Sequence, residues 1–130
     1  MIVLDASVAL ELVLQTPRSP IIATRLAAPG ETLHAPHLID LEVLQVLRRF
    51  ARTSALPERR ATNALEDFRD LPIVRYPHAL LLERVWALRR NATAYDGAYL
   101  ALAEALDAPL LTVDRRLRAV PGSRARVEIV

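Results

Sequence analysis

The sequence lacks cysteine and lysine and is poor in glycine. None of its 130 residues is cysteine, which excludes a disulfide scaffold, a thiol nucleophile and a cysteine-ligated zinc site. Lysine is absent, and the chain carries 17 arginines instead. Without lysine, P-loop nucleotide binding, Schiff-base chemistry and a lysine general base are excluded. Only three glycines occur, Gly30, Gly97 and Gly122, so there is no glycine-rich loop that binds phosphate.

Histidines and long apolar runs are also scarce. The three histidines do not form the H-E-x-x-H spacing of a zinc peptidase. The longest segment without Asp, Glu, Lys or Arg, residues 32–39, is far shorter than the ~18 residues that a membrane span requires. The first residues, MIVLDAS, carry no basic leader, and Asp5 and Glu11 interrupt any secretory hydrophobic segment. We therefore expect a cytoplasmic protein that does not enter a membrane.

Composition and charge are those of a globular protein with an uneven charge distribution. The length favours a single domain over residues 1–130. The chain is 52% hydrophobic and 25% charged residues, a composition typical of a globular protein with a packed core. The net charge is +2, but residues 48–60 and 115–130 each carry +4, so the remainder carries −6. Basic margins around an acidic remainder favour a protein that binds a polyanion at a carboxylate-lined centre. The alternative is that these charges only solvate helix surfaces.

Short apolar segments alternate with helical patterns along the whole chain. The predicted strands are residues 2–4, 32–35, 73–76, 110–113 and 127–130. The predicted helices are residues 6–15, 17–28, 37–53, 57–70, 78–90, 93–107 and 115–120. This alternation predicts an α/β fold with a parallel sheet that helices cover on both faces. In such sheets ligands bind at the carboxyl ends of strands, where the strand order reverses.

Two of the predicted strands end in aspartate. Asp5 follows Ile2-Val3-Leu4, and Asp114 follows Leu110-Leu111-Thr112-Val113. If the two strands are neighbours, their carboxylates face each other. Ser7 is a candidate hydrogen-bond partner for Asp5, and Thr112 for Asp114. The alternative for Asp5 is that it caps the helix that follows, while both hydroxyl residues are ordinary helix and strand residues.

Two further carboxylates lie on helices. Glu42 lies at the border of the apolar face of the helix at 37–53, where it can face a cleft between helix and sheet. Its alternative is an exposed position beside Gln45 or Arg49. Asp96 completes a capping-box pattern with Thr93, which by itself explains the residue, but a first helical turn also directs a carboxylate at a sheet edge.

Four carboxylates on separate segments repel one another unless a cation neutralises them. A ligand set made of oxygen atoms favours Mg²⁺ or Mn²⁺ over zinc. Such ions support phosphodiester hydrolysis because they activate water and stabilise the leaving oxygen. Arg115 and Arg116 follow Asp114 directly, and we expect them to bind backbone phosphates.

The chain resembles PIN-domain ribonucleases, in particular the toxins of VapBC-type toxin–antitoxin pairs. The matching segments are VLDASVAL at the start, P-x-L-x-x-x-E-V-x-x-x-L-R-R from Pro36, TAYDGAYLALA and LLTVDRRL. They cover the chain in the family's order and spacing. By position, the acidic residues of the family fall on Asp5, Glu42, Asp96 and Asp114, with Ser7 and Thr112 as hydroxyl neighbours. Gly97 stands where alanine is expected.

The resemblance implies a PIN-like three-layer α/β/α fold with a sheet of order 3-2-1-4-5. It also implies Mg²⁺-dependent cleavage of RNA to a 5′-phosphate and a 3′-hydroxyl. In this hypothesis Asp5, Asp96 and Asp114 hold the metal, and Glu42 completes the site or orients the attacking water. The alternatives are a housekeeping PIN nuclease and a non-catalytic PIN-like module that binds RNA or protein.

The resemblance further implies a homodimer and a cognate antitoxin protein. The apolar helices within residues 6–28 and 37–53 agree with this, because they carry more hydrophobic surface than a monomer of this size readily buries. We expect a hydrophobic groove that receives an antitoxin segment. The aromatic residues Trp86, Tyr95 and Tyr99 recur at helical spacing, so we expect them in the core or an interface rather than in a base-stacking ladder.

Overall fold

Five short strands form one parallel sheet in the computed structural model, which describes residues 1–130. The strands are β1 (Ile2–Leu4), β2 (Leu33–Pro36), β3 (Ile73–Tyr76), β4 (Leu110–Thr112) and β5 (Val127–Ile129). The α-helices are α1 (Ala6–Val13), α2 (Ser19–Leu26), α3 (Leu38–Arg52), α4 (Glu58–Asp70), α5 (Leu82–Ala87) and α6 (Ala94–Ala105). Two 3₁₀ helices span His78–Leu81 and Arg115–Ala119. None of the helices combines the length and the hydropathy that crossing a bilayer requires.

The strand order across the sheet is β3-β2-β1-β4-β5, which confirms the predicted fold class. The central strand β1 pairs in parallel with β2 and with β4, so that Val3 lies opposite both His34 and Leu110. From β1 the chain proceeds outward to β2 and β3, and it then returns to the other side of β1 to form β4 and β5. The strand order therefore reverses between β1 and β4, and their carboxyl ends lie side by side.

The helices cover the sheet in two layers. Helix α1 packs against α2, α3 and α4, whereas α5 packs against α6. Because parallel crossovers are right-handed, connections that run in opposite directions from β1 place these two groups on opposite faces of the sheet. The side chains of Ile2, Val3 and Leu4 are completely buried as a result. This explains why the central strand is uniformly apolar rather than alternating.

Helices α3 and α6 position the residues of interest, and they are buried to different extents. Helix α3 buries Ile39, Val43 and Leu47 along one stripe and leaves the opposite face in solvent. Helix α6 is buried around most of its circumference, over residues 97–103. It packs so closely on α5 that a Cβ atom at Gly97 would lie 3.2 Å from Cγ1 of Val85. This contact accounts for the glycine at a position where alanine is expected.

The helix predicted over residues 78–90 differs from the observed structure. Residues 78–81 form a 3₁₀ turn, and the α-helix that follows ends at Ala87. The chain turns there because Leu88 is buried and its carbonyl accepts the N–H groups of Asn91 and Ala92. Residues 88–92 thus form a tight connection into α6, and this connection places Arg89 and Arg90 at the surface.

Candidate active site

The four carboxylates predicted from the sequence come from four different elements near the point where the strand order reverses. Asp5 follows β1, Asp114 follows β4, Asp96 lies in the first turn of α6, and Glu42 lies on α3. The negative charges of Asp5 and Asp96 act on Glu42, and those of Asp5 and Asp114 act on Asp96. We call these four residues the acid cluster.

Asp5 is held by two hydroxyl groups. Ser7 Oγ donates a hydrogen bond of 2.7 Å to Oδ2 of Asp5, and Thr112 Oγ1 donates one of 2.5 Å to the same oxygen. Asp5 occupies the N-cap position of α1, yet its side chain makes no capping hydrogen bond. The capping alternative for this carboxylate is therefore wrong. It faces β4 instead, because β1 and β4 are adjacent.

The partner of Thr112 also differs from the expectation. Its hydroxyl donates to Asp5 rather than to the carboxylate of Asp114, and it accepts the backbone N–H of Asp114 at 3.0 Å. Thr112 is completely buried at the end of β4. One threonine hydroxyl thus links the strand-end residues of β1 and β4 and fixes their relative position.

Glu42 is half-buried and is paired with a tyrosine from another helix. The hydroxyl of Tyr99 donates to Oε2 of Glu42 at 2.5 Å, so Glu42 does not take Gln45 or Arg49 as its partner. Burial raises the pKa of Glu42, the Tyr99 hydrogen bond opposes this, and the negative charges of Asp5 and Asp96 add to the rise. The net pKa lies above its ordinary value, as expected for a carboxylate among like charges.

Tyr99 lies in the core, as its helical spacing predicts, but it also has a role at the site that the spacing does not indicate. Its side chain is 1% exposed. Burial and the hydrogen bond to Glu42 raise its pKa far above the ordinary value, which keeps the hydroxyl protonated and able to donate. The signal in the sequence is its position three residues after Asp96, which places both on one side of α6.

Asp96 takes part in the helix cap through its backbone N–H. Thr93 Oγ1 accepts the N–H of Asp96 at 3.1 Å, so Thr93 caps α6 as the sequence pattern predicts. The carboxylate does not return a hydrogen bond to the backbone of Thr93, which a complete capping box requires. Burial raises the pKa of Asp96, and the negative charges of Asp5 and Asp114 raise it further, against a smaller lowering by the nearby Thr93 hydroxyl. The side chain therefore faces the acid cluster.

Asp114 is engaged by an arginine of its own loop. Arg116 Nη2 donates to Oδ2 of Asp114 at 2.6 Å, and the backbone N–H of Arg116 donates to Oδ1 at 2.9 Å. The side-chain hydrogen bond from Arg116 lowers the pKa of Asp114. Arg116, which we expected to bind RNA phosphate, thus neutralises one carboxylate of the cluster. Arg115 is exposed beside Arg118 and Ile129.

The side chains do not converge as a preformed metal site. No three aspartate, glutamate or histidine side chains lie close enough together to hold one ion. The chemistry of the donors nevertheless fits a hard divalent cation, because the cluster presents only carboxylate and hydroxyl oxygens. Arg116 is the arginine that pairs with a carboxylate of this cluster, and the raised pKa values of Glu42 and Asp96 reflect the remaining negative charge.

Two cavities flank the acid cluster. The first, which we call the apolar groove, has a volume of about 620 Å³, and Asp5 and Glu42 lie at its edge. Its other lining residues come from α1, α3 and the start of α6 and are Ala6, Ser7, Leu10, Leu38, Leu41, Gln45, Val46 and Tyr95. The second, the arginine cavity, has a volume of about 540 Å³, and its polar lining consists of Arg89, Arg90, Asn91, Thr93, Asp96 and Arg116.

The exposed aromatic residues lie near these cavities. Tyr95 is 62% exposed and Trp86 is 68% exposed. Neither residue belongs to the core, because α5 turns its outer face to solvent and Tyr95 lies at the open start of α6. The interface remains the prediction for both. Tyr95 lines the apolar groove. Trp86 does not line the arginine cavity itself but packs against Arg89, which does.

Comparison with known proteins identifies a family and close relatives of this chain. The model of the PIN domain matches residues 2–123. Ribonuclease VapC12 of Mycobacterium tuberculosis is 42% identical over 130 residues, which cover 100% of this chain and 99% of that protein. VapC ribonuclease Mb0985 of Mycobacterium bovis is 40% identical over 130 residues, which cover 100% of this chain and 98% of that protein.

Solved structures share the fold. PAE2754 from Pyrobaculum aerophilum is 25% identical with a TM-score of 0.70, over 98% of this chain and 83% of that one. VapBC2 from Rickettsia felis, solved with a DNA fragment from its promoter, is 16% identical with a TM-score of 0.73, over 99% of this chain and 98% of that one. Because the family model covers residues 2–123 and relatives of 40% identity or more match over the full length, the chain belongs to the PIN-domain family.

Proposed function

We propose that this protein is a divalent-metal-dependent endoribonuclease that acts as the toxin of a toxin–antitoxin pair. The observation that carries the proposal is the acid cluster, in which carboxylates from four elements act on one another near the point where the strand order reverses. Full-length relatives that are named VapC ribonucleases support RNA as the substrate. Repulsion between these carboxylates destabilises the fold, and RNA binding alone does not require them. The acid cluster therefore favours an enzyme over the non-catalytic alternative.

In this proposal Asp5, Asp96 and Asp114 hold Mg²⁺ or Mn²⁺ with the help of Glu42. A divalent cation in such a site lowers the pKa of water and stabilises the leaving oxygen of a phosphodiester. Glu42 is suited to orient the attacking water, because Tyr99 engages only Oε2 and leaves Oε1 free. Ser7 and Thr112 keep Asp5 in place through the shared oxygen Oδ2. Arg115 and Arg116 supply positive charge for the RNA backbone.

We further propose that the apolar groove takes a segment of a cognate antitoxin and that the protein forms a homodimer in the cytoplasm. Leu41, Leu44 and Tyr95 are all exposed on this side of the molecule. Large apolar side chains in a contiguous exposed surface are typical of protein interfaces. A helix or an extended peptide placed here would pass directly beside Asp5 and Glu42. Its binding would therefore also block access of RNA to the acid cluster.

The test of the enzymatic proposal compares two aspartate variants. Asp5→Asn should abolish RNA cleavage and leave the fold intact, because the amide oxygen of asparagine can still accept the hydrogen bonds from the Ser7 and Thr112 hydroxyls. Asp40→Asn is the matched control, because Asp40 pairs with Arg75 at 2.8 Å and lies outside the acid cluster. This variant should retain RNA cleavage. Millimolar Mg²⁺ or Mn²⁺ should raise the Tm of the unmodified protein and should raise that of Asp5→Asn less. Full cleavage by Asp5→Asn, or in excess EDTA, would contradict the metal-dependent mechanism.

The toxin role is tested by expressing the chain alone and then together with the protein that the neighbouring gene encodes, the candidate antitoxin. Growth should stop in the first case and recover in the second. Light scattering should report a dimer. A monomer at high concentration together with normal growth would exclude the toxin, while leaving a housekeeping nuclease open to the cleavage assay above.

A further inference from the structure

The arginine cavity and the apolar groove are lined by different members of the acid cluster. Asp96 lines the cavity, while Asp5 and Glu42 line the groove. The cavity is the more polar of the two. Arg116 is paired with Asp114, but Arg89 and Arg90 add two guanidinium groups that form no ion pair, against the single carboxylate of Asp96. A chain of phosphates that passes the acid cluster would therefore reach positive charge in this cavity.

The walls of the cavity are held in position by contacts within the protein. The guanidinium of Arg89 lies over the indole ring of Trp86, 4.5 Å from its centre, and Nη1 donates to the Trp86 carbonyl at 2.9 Å. Asn91 donates to the Pro121 carbonyl at 3.3 Å and thereby joins the connection before α6 to the loop after the second 3₁₀ helix. Because these groups are already ordered, a ligand that binds them loses little side-chain entropy.

The pairing of an arginine with an exposed tryptophan indicates the class of ligand. Single-stranded nucleic acids are bound by positive charge along the backbone and by aromatic rings or guanidinium planes on which bases stack. The side chain of Trp86 stays largely exposed despite the contact with Arg89, so it presents a stacking surface next to the cations. An isolated phosphate would use the arginines but not the indole.

We propose that the arginine cavity is the subsite for the nucleotide that flanks the scissile phosphate of the RNA. Arg89 and Arg90 bind its phosphate, and its base stacks on the pair formed by Arg89 and Trp86. The proposal rests on the proposed ribonuclease function and adds the residues that determine where the flanking strand lies. It assigns a role to an arginine pair outside both of the basic margins seen in the sequence.

The test measures RNA binding without cleavage. The full chain with Asp5→Asn, in EDTA, is titrated against a short fluorescein-labelled single-stranded RNA of random sequence, with anisotropy as the readout. Adding Arg89→Ala and Arg90→Ala should weaken binding about tenfold or more. The slope of log affinity against log salt should fall by about 0.7 for each phosphate that the variant no longer neutralises. Trp86→Ala should weaken binding about fivefold or more with the salt slope unchanged, because stacking releases no counterions.

The matched control is the pair Arg48→Ala and Arg49→Ala at the end of α3. It removes the same charge from adjacent arginines, one of which also lies over an aromatic ring, that of Phe50 at 5.4 Å. This pair lies in the basic margin of residues 48–60 and outside the arginine cavity, so it should lower the affinity and the salt slope less than the Arg89 and Arg90 pair does. If both arginine pairs lose the same affinity, the attraction is generally electrostatic and the subsite proposal is wrong. Unchanged RNA binding by the Trp86→Ala variant would also overturn the subsite proposal.

Cleavage assays separate this proposal from the one on which it rests. In the protein with Asp5 intact, the Arg89 and Arg90 variants should raise KM for RNA and leave kcat unchanged. If the unmodified protein cleaves RNA and these variants bind and cleave equally well, the subsite is wrong and the ribonuclease stands. If the unmodified protein cleaves no RNA but the binding differences are found, the ribonuclease proposal fails and the cavity remains a nucleic-acid site.

Discussion

The hydrogen bond from Tyr99 to Glu42 can be removed without disturbing the surrounding core. Tyr99→Phe deletes only the hydroxyl that donates to Oε2 of Glu42 at 2.5 Å, while the buried ring keeps its packing. Any change therefore reports on this hydroxyl, whose partners are Glu42 and the backbone of Ala6. We interpret Tyr99 as a positioning residue, since its hydroxyl holds one oxygen of Glu42 and directs the other towards the acid cluster.

The expected loss of stability follows from the charge and the burial of the two partners. Hydrogen bonds to charged groups contribute ~1.5–3 kcal/mol. Glu42 is only half-buried, and water replaces part of the missing bond, so we expect a decrease of about 1–2 kcal/mol in the free energy of unfolding. With an unfolding entropy of about 2.1 cal/mol/K per residue, this corresponds to a fall in Tm of roughly 4–8 °C for a chain of this length.

The expected effect on activity is larger than a loss of stability alone would cause. A displacement of a reacting group by ~1 Å lowers rates by up to about 100-fold, so kcat for RNA cleavage should fall between about 10- and 100-fold. KM should stay the same, because Tyr99 is buried away from the substrate. Tyr95→Phe is the control, since Tyr95 lies on the same helix but is exposed. Equal kcat values for Tyr99→Phe and the unmodified protein at a temperature where both are folded would refute the positioning role.

Two further predictions concern helix α6. Asp96→Glu should leave Tm nearly unchanged but strongly reduce RNA cleavage, because the carboxylate is displaced. Thr93→Ala should instead lower the free energy of unfolding by about 1 kcal/mol and retain cleavage. Unimpaired cleavage by Asp96→Glu would remove Asp96 from the site. Burial raises the pKa of Glu104, but hydrogen bonds from Arg84 and from the Arg124 backbone outweigh it, and the net pKa lies below its ordinary value of 4.5. The stabilisation is present above pH 4.5 and is lost as pH falls through the lower folded-state pKa. Glu104→Gln should thus lower Tm at pH 7 and match the unmodified protein in acid; an equal difference at both pH values would contradict this.

The sequence by itself determined the architecture and the candidate acidic residues. Uniformly apolar strands such as Ile2–Leu4, separated by amphipathic helices, predict a parallel sheet covered on both faces, because burial on both sides leaves no place for polar residues. Asp5 and Asp114 stood out because each follows such a strand, and strand ends in this fold share one edge. These conclusions depend on local periodicity and on rules of connection, both of which are visible in one chain.

Only the tertiary structure decided the partners of those residues. Thr112 donates to Asp5, 107 positions away, rather than to its neighbour Asp114, because β1 and β4 are adjacent in the sheet. Tyr99 reaches Glu42 across 57 positions of sequence. Hydrogen bonds and charge interactions depend on ångström-scale distances between elements, and helix periodicity fixes which side of an element a residue occupies but not which neighbour it meets. The sequence could therefore name the acids and the Ser7 partner of Asp5, whereas the bonds from Thr112 to Asp5 and from Tyr99 to Glu42 are visible only in the packed fold.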